Sequence, residues 1–332
     1  MARLPAQRHP TLPTVSLDEA QAAAEGYAKG SRSAATWRAY ESDWKTFGAW
    51  CHSVERPALP ATPATVALFV AAQAKLGIAP STLGRRLAAI RLMHVGARFP
   101  SPHDAIEVDE VMRGIRRAWK RPPAQKAPAV DDEIKRMVDA VEPQTLKGLR
   151  DRALLLLGFA GAFRRSELVA LDIDHLTAQD EGLSILIASS KTDQEGRGQT
   201  VAIPRVKDSP YCPVQAVADW LVAAAITAGP IFRRLHRGDA VGTSRLTDQS
   251  VALVLKALAG KVGLDPSRYA GHSLRSGFLT SAARNRASIF KMADQSRHKS
   301  LDVLRDYVRA GERFEDHAAE GLLRPDPPSR PR

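Results

Sequence analysis

The stretch that most constrains this chain is PPAQKAPAV at residues 122–130. It is rich in Pro and Ala, and no apolar periodicity runs through it, so it predicts a linker. On either side the residue pattern differs. At 332 residues the chain has room for two domains.

Before the linker every periodic segment reads as helix. Residues 1–14 are Pro-rich and basic and predict a loose arm, with an amphipathic pattern starting near Ser16. Trp37, Tyr40, Trp44, Phe47 and Cys51 recur at steps of three and four, which gathers them on one helix face and predicts core. Thr62, Pro63 and Gly77 cap, start and close the next helix. Another begins at Pro80, with Leu83, Leu87, Ile90 and His94 on one face and Arg85, Arg86, Arg91 and Arg98 elsewhere. From Ala61 to Pro100 there are basic residues and no acidic ones. In a basic protein this predicts contacts to nucleic-acid phosphates through Arg85, Arg86 and Arg91. A last helix runs from about Ala105 to Lys120.

After the linker, helices are predicted at Asp131–Val141, Thr145–Ala160, RRSELVAL from Arg164, Cys212–Ala228, Thr247–Val262 and His272–Asn285. Between them LSILIAS (183–189) and QTVAIP (199–204) are apolar and β-branched, and they predict a hairpin with a polar loop. The Pro- and Arg-rich tail predicts disorder. The expected fold is mainly α with a small antiparallel β-sheet: an arm (1–14), an all-helical domain (15–121), the linker (122–130), an α+β domain (131–318) and a tail (319–332).

The formal net charge of +12 points to a polyanionic partner, with nucleic acid the default. Cys51 and Cys212 have no neighbours at metal-ligand spacing and read as buried small hydrophobes in a reducing cytoplasm. MARLPAQRHPTLP has no apolar core of a signal peptide, and no apolar run reaches membrane-spanning length. The chain is therefore expected in the cytoplasm, away from membranes.

The segment from His272 to Tyr307 concentrates the chemistry. His272-x-x-Arg275 puts both side chains on one helix face. RHKSLDVLRDYVR adds His298 before a short helix and Tyr307 inside it. Histidine, arginine and tyrosine together suit a site that grips a phosphate and attacks it. Upstream, GAFRRSELVAL places Arg164 and Arg165 at a helix start, and SSKT places Lys191 where a strand enters the hairpin. Alternatives remain open residue by residue: Tyr307 also lies beside an apolar face of Leu301, Leu304 and Val308, and Lys191 also fits a surface hairpin lysine.

In this order the residues resemble the tyrosine recombinases, or phage integrase family, along the whole chain. The family's R-x-S-E-L signature matches Arg164, Ser166, Glu167 and Leu168, its hairpin lysine Lys191, and its H-x-x-R box His272 and Arg275. Its second histidine matches His298, and its nucleophile matches Tyr307, nine residues later. Two departures stand out: Arg297 occupies a place where the family usually has Gly, and Ser276-Gly277 follow the box in place of the common His.

The resemblance implies a SAM-like core-binding domain followed by a catalytic domain. It implies site-specific recombination of double-stranded DNA, by a tetramer on two sites with a dimer on each. Cleavage would pass through a 3′-phosphotyrosine and a Holliday junction, with no metal, ATP or other cofactor. Arg164 and Arg275 would stabilise the transition state, and His272 would serve as base or proton shuttle. Lys191 would be the general acid, and His298 would hydrogen-bond the phosphate. Glu167 is expected to buttress the site, and Arg165 to meet DNA or solvent. Two other readings share these residues: a type IB topoisomerase, and a non-catalytic DNA-binding accessory protein on the same fold.

Overall fold

The computed structural model describes residues 15–120, 126–142, 144–188, 198–298 and 300–311. The chain divides into two compact units, Met1–Pro123 and Ala124–Arg332. The expected arm, the first part of the linker, the hairpin loop with Lys191, and the tail lie outside the described residues. No helix among the described residues is long and apolar enough to cross a membrane.

The described part of the first unit holds helices α1 (Leu17–Gly30), α2 (Ala34–Ser53), α3 (Pro63–Lys75), α4 (Pro80–Gly96) and α5 (Ile106–Ala118), with a 3-10 turn at Pro102–Asp104. Its boundaries follow from local chemistry. The Thr62 side chain accepts a hydrogen bond from the Thr65 N–H, Pro63 fills the first turn, and Gly77 leaves the helix at φ 80°. The aromatic stripe of α2 is core over its C-terminal half: Phe47 and Cys51 are buried, and Phe47 meets Phe69 edge-on at 5.0 Å. Burying each phenylalanine is worth about 1.5–3 kcal/mol. The N-terminal end of the stripe differs, because Trp37 is exposed. His94 is a core histidine: its Nε2 accepts from the Ala61 N–H at 2.8 Å, and its Nδ1 lies 2.8 Å from the Ile90 carbonyl. Both ring nitrogens are thus satisfied on an otherwise apolar face.

The second unit holds α6 (Asp131–Asp139), α7 (Leu146–Ala160), α8 (Arg165–Ala170), β1 (Leu176–Gln179), β2 (Gly182–Ile187), β3 (Gln199–Pro204), α9 (Pro213–Ala223), β4 (Arg233–Leu235), β5 (Val241–Arg245), α10 (Asp248–Lys261), α11 (Ser273–Arg284), α12 (Ile289–Ser296) and α13 (Asp302–Gly311). Strands β1, β2 and β3 form an antiparallel sheet in that order. On β2, Leu183, Ile185 and Ile187 face the core while Leu186 faces out, the two-residue period of a half-buried strand. The expected hairpin thus gains a third strand, and β4 and β5 pair separately. The core centres on α7, packed against α9, whose buried Trp220 donates Nε1–H to the Ile231 carbonyl at 2.7 Å.

The described part of the linker is not free chain. The Ala127 N–H donates to the Arg268 carbonyl at 2.7 Å and the Ala129 N–H to the Ser273 carbonyl at 2.9 Å, which lays the segment along the start of α11. Gly277 permits this approach, because a Cβ there would sit 1.8 Å from the Ala129 carbonyl oxygen. This gives the departure at Ser276-Gly277 a packing role. Gly277→Ala is expected to destabilise the protein by about 3 kcal/mol through overpacking, measured by thermal or urea unfolding.

Candidate active site

The R-x-S-E-L run is a helix start. Arg164 stands at the N-cap of α8, and Glu167, at the third helical position, accepts the Arg164 backbone N–H through Oε2 at 2.9 Å. This is the returning half of a capping box. The other carboxylate oxygen takes a short hydrogen bond from the Arg164 guanidinium. The arginine–glutamate spacing therefore fixes both the backbone and the side chain of Arg164.

Arg275, on the first turn of α11, is 1% exposed. Its Nη1 donates to the Ala162 carbonyl at 2.8 Å, and its Nη2 lies 3.2 Å from Nδ1 of His298. His272 forms the N-cap of α11 and is exposed at the edge of the site. Partial desolvation, then the charges of Arg275 and Arg164, hold its imidazole below the ordinary range. The same three causes, joined by His272 and Arg297, push His298 further, down to about 4. Buried Ser296 orients the His298 ring, its Oγ lying 2.7 Å from Nδ1.

Tyr307 comes from α13, which packs against α11. Its ring is half-buried against a cluster that includes Leu279, Met292 and Leu304. The apolar face that offered a purely structural role thus holds the ring in place. Burial raises the phenol above its usual range, the charge of Arg275 opposes this, and Asp306 adds to it. The phenol is therefore neutral at neutral pH.

Positive charge dominates. Burial, then Arg164 and Arg297, bring Arg275 down to about 9, against the pull of Glu167 and Tyr307. It keeps its proton at pH 7. Burial alone would raise the Glu167 carboxyl, but Arg297 and Arg164 together outweigh it and hold the group below the usual carboxylate range. Arg164 and Arg297 both bond Glu167 and Arg275 adds a third positive charge with no carboxylate bonded to it among the described contacts, so the site is suited to receive an anion.

The structure brings Arg164, Glu167, His272, Arg275, His298 and Tyr307 together, while Lys191 lies outside the described residues. The arginines expected to meet DNA are differently placed. Arg85 grips Asp43 of α2 with Nε at 2.7 Å and Nη2 at 3.1 Å. Arg86 is turned inward, bonded to Gln73 with Asp43 at 3.6 Å. Arg91 lies 3.6 Å from Asp104, and Arg165 lies 3.1 Å from Asp248. The stretch without acidic residues is compensated from outside itself, and Arg86 serves the interior of its unit. Arg297 and Ser296 also belong to the site, although neither is among the residues expected there from the sequence. The one available signal was the arginine at a position where the family usually has glycine.

A pH dependence follows from His298. Unfolded, its imidazole takes a proton near 6.5; folded, only near 4. The neutral ring's contribution is full above pH 6.5 and is lost as pH falls through that window. His298 is half-buried and partly screened, so denaturant unfolding at pH 5 is expected to show about 1 kcal/mol less stability from this group than at pH 7. His298→Gln should flatten that slope.

Among known proteins, the family model described as the phage integrase family matches residues 130–313. The chain is 39% identical over 286 residues to an integrase/recombinase xerD homolog of Selenomonas ruminantium, covering 85% of this chain and 84% of that one. It is 29% identical over 309 residues to a tyrosine recombinase of Synechococcus elongatus, covering 88% and 90%. In fold it is similar to the Tn1549 transposon integrase solved with transposon right-end DNA, at a TM-score of 0.59, 13% identity and coverage of 86% and 92%. With these likenesses beside a buried arginine pair and a tyrosine on the neighbouring helix, the chain belongs to the phage integrase family and is a tyrosine-type site-specific recombinase.

Proposed function

We propose that this recombinase cuts and rejoins DNA by transesterification through Tyr307. The observation that carries the reading is the packing of α13, with the half-buried phenol of Tyr307, against α11, which carries the buried guanidinium of Arg275, within reach of that positive charge. The Tyr307 oxygen attacks the phosphorus of a DNA backbone phosphate, and the bond from phosphorus to the 5′-oxygen breaks. The phenolic proton passes to neutral His272. The departing 5′-oxygen takes its electron pair and a proton from Lys191. Arg164 and Arg275 donate to the non-bridging oxygens as charge gathers there. His298, beside Arg275, adds a hydrogen bond to the same phosphate. Glu167 holds Arg164 and stays out of the reaction.

One phosphoester is exchanged for another, so the chemistry proposed needs neither ATP nor metal. The 5′-hydroxyl of a partner duplex then attacks the phosphotyrosine, which exchanges strands through a Holliday junction in a tetramer on two sites. Arg85, Arg91 and Arg165 are each about half exposed and are assigned to flanking phosphates, for which they would exchange their present carboxylates.

The test begins with duplexes that the protein captures covalently from a randomised library. A supercoiled plasmid carrying two copies of the captured sequence should give recombinant circles together with denaturation-resistant protein–DNA adducts. Relaxation of a plasmid with one copy at the same rate, without recombinants, would instead indicate topoisomerase activity.

A further inference from the structure

Arg297 stands at the C-terminal end of α12, with φ 58° and ψ 41°. Its N–H bonds to the Asp294 carbonyl at 3.2 Å, and the next N–H, of His298, bonds to the Ala293 carbonyl at 3.2 Å. This is the Schellman arrangement, and its left-handed residue is ordinarily glycine because a Cβ is strained there. An arginine kept at such a position needs a reason, and its side chain supplies one.

The Arg297 side chain is 2% exposed. Nη2 donates to Glu167 Oε2 at 2.8 Å and to the Ala162 carbonyl at 3.0 Å. Nη1 donates to the Gly161 carbonyl at 2.9 Å and to the Gln295 carbonyl at 2.6 Å. The guanidinium lies over the Phe163 ring, 5.1 Å from its centroid. Two of these acceptors are shared with the site. Glu167 is the carboxylate that holds Arg164, and the Ala162 carbonyl also receives Arg275.

We propose that Arg297 is a positioning residue for strand cleavage, a buried guanidinium that fixes Glu167 and the Ala162 carbonyl and so holds Arg164 and Arg275 in place for the phosphate. The proposal rests on the transesterification reading above. In that reading Arg297 touches neither DNA nor the reacting atoms. It also ties the turn carrying His298 to the loop at 161–163, so both sides of the site share one fastening. Two anchored donors displaced by even a fraction of an ångström lose much of their effect on the transition state.

Arg297→Gly is the informative variant, since glycine suits the turn and only the guanidinium is lost. With a duplex recovered by covalent capture with the unaltered protein, R297G is expected to form adduct about 10- to 100-fold more slowly. Its non-covalent affinity for that duplex should stay within about twofold, because the binding contacts lie elsewhere. Arg297→Lys keeps the charge but not the planar fork, and should restore part of the rate. If Arg297 acts through Glu167, the double variant R297G/E167Q should be no slower than the slower single variant. Wild-type cleavage by R297G overturns the proposal, as do effects of R297G and E167Q that multiply. Should R297G melt below the assay temperature, R297K carries the test: slowed cleavage at an unchanged melting temperature supports it, and an unslowed rate overturns it. If the unaltered protein forms no adduct at all, the reading of the site fails and takes this proposal with it.

Discussion

Replacing Tyr307 by Phe is expected to abolish covalent capture of DNA and to leave DNA binding intact. The substitution removes one oxygen and keeps the ring. That ring packs on the cluster of Leu279, Met292 and Leu304, so α13 stays docked and the melting temperature changes little. No binding contact is assigned to the phenol. The expected loss is one of chemistry, because the proposed nucleophile is gone and its neighbours cannot substitute for it. Adduct formation should fall at least about 10⁴-fold, the range seen when a nucleophile is removed from an otherwise intact site. Capture by the Phe variant within tenfold of the unaltered protein would mean that another side chain attacks.

The second large effect is expected at Arg275. Truncation to Ala removes a donor pointed at developing negative charge in a buried site and should slow cleavage by about 10²–10³-fold. Lys is the sharper probe. An ammonium there keeps the charge, but it lacks the planar fork with which Arg275 reaches the Ala162 carbonyl and His298 at once. If geometry governs, R275K is nearly as slow as R275A in single-turnover cleavage. If charge alone governs, R275K recovers most of the rate. The variants should not unfold the protein, since Arg297 still donates to the Ala162 carbonyl and one of the crowded positive charges is relieved or loosened.

What could be read from the residues and what could not divides along physical lines. Local signals carried well. The cap at Thr62 marks a helix start because it acts within three residues. The buried face of α4 follows from periodicity alone. The order of arginines, histidines and tyrosine was sufficient for the family. Weak or distant signals did not carry. Strands β4 (RRL) and β5 (VGTSR) are too short and too polar to show a strand pattern, and only their mutual pairing makes them visible. The basic stretch around α4 looked uncompensated because its carboxylates, Asp43 and Asp104, come from other elements. Arg297 looked like a mere departure from glycine, and only its buried contacts to Glu167, Gly161 and Ala162 show what an arginine does there.

The most direct test of cleavage through Tyr307 is the chemical identity of the protein–DNA adduct. The adduct is trapped in denaturant, its DNA is digested to a stub with nuclease, and the protein is digested with a protease for peptide mass spectrometry. A second sample is treated with polynucleotide kinase and labelled ATP, without phosphatase. The expected result is a nucleotide joined through its 3′-phosphate to Tyr307, and a cleaved partner end that labels at once because it is a free 5′-hydroxyl. A stub on any other residue, or a cleaved end that labels only after phosphatase treatment, would contradict it.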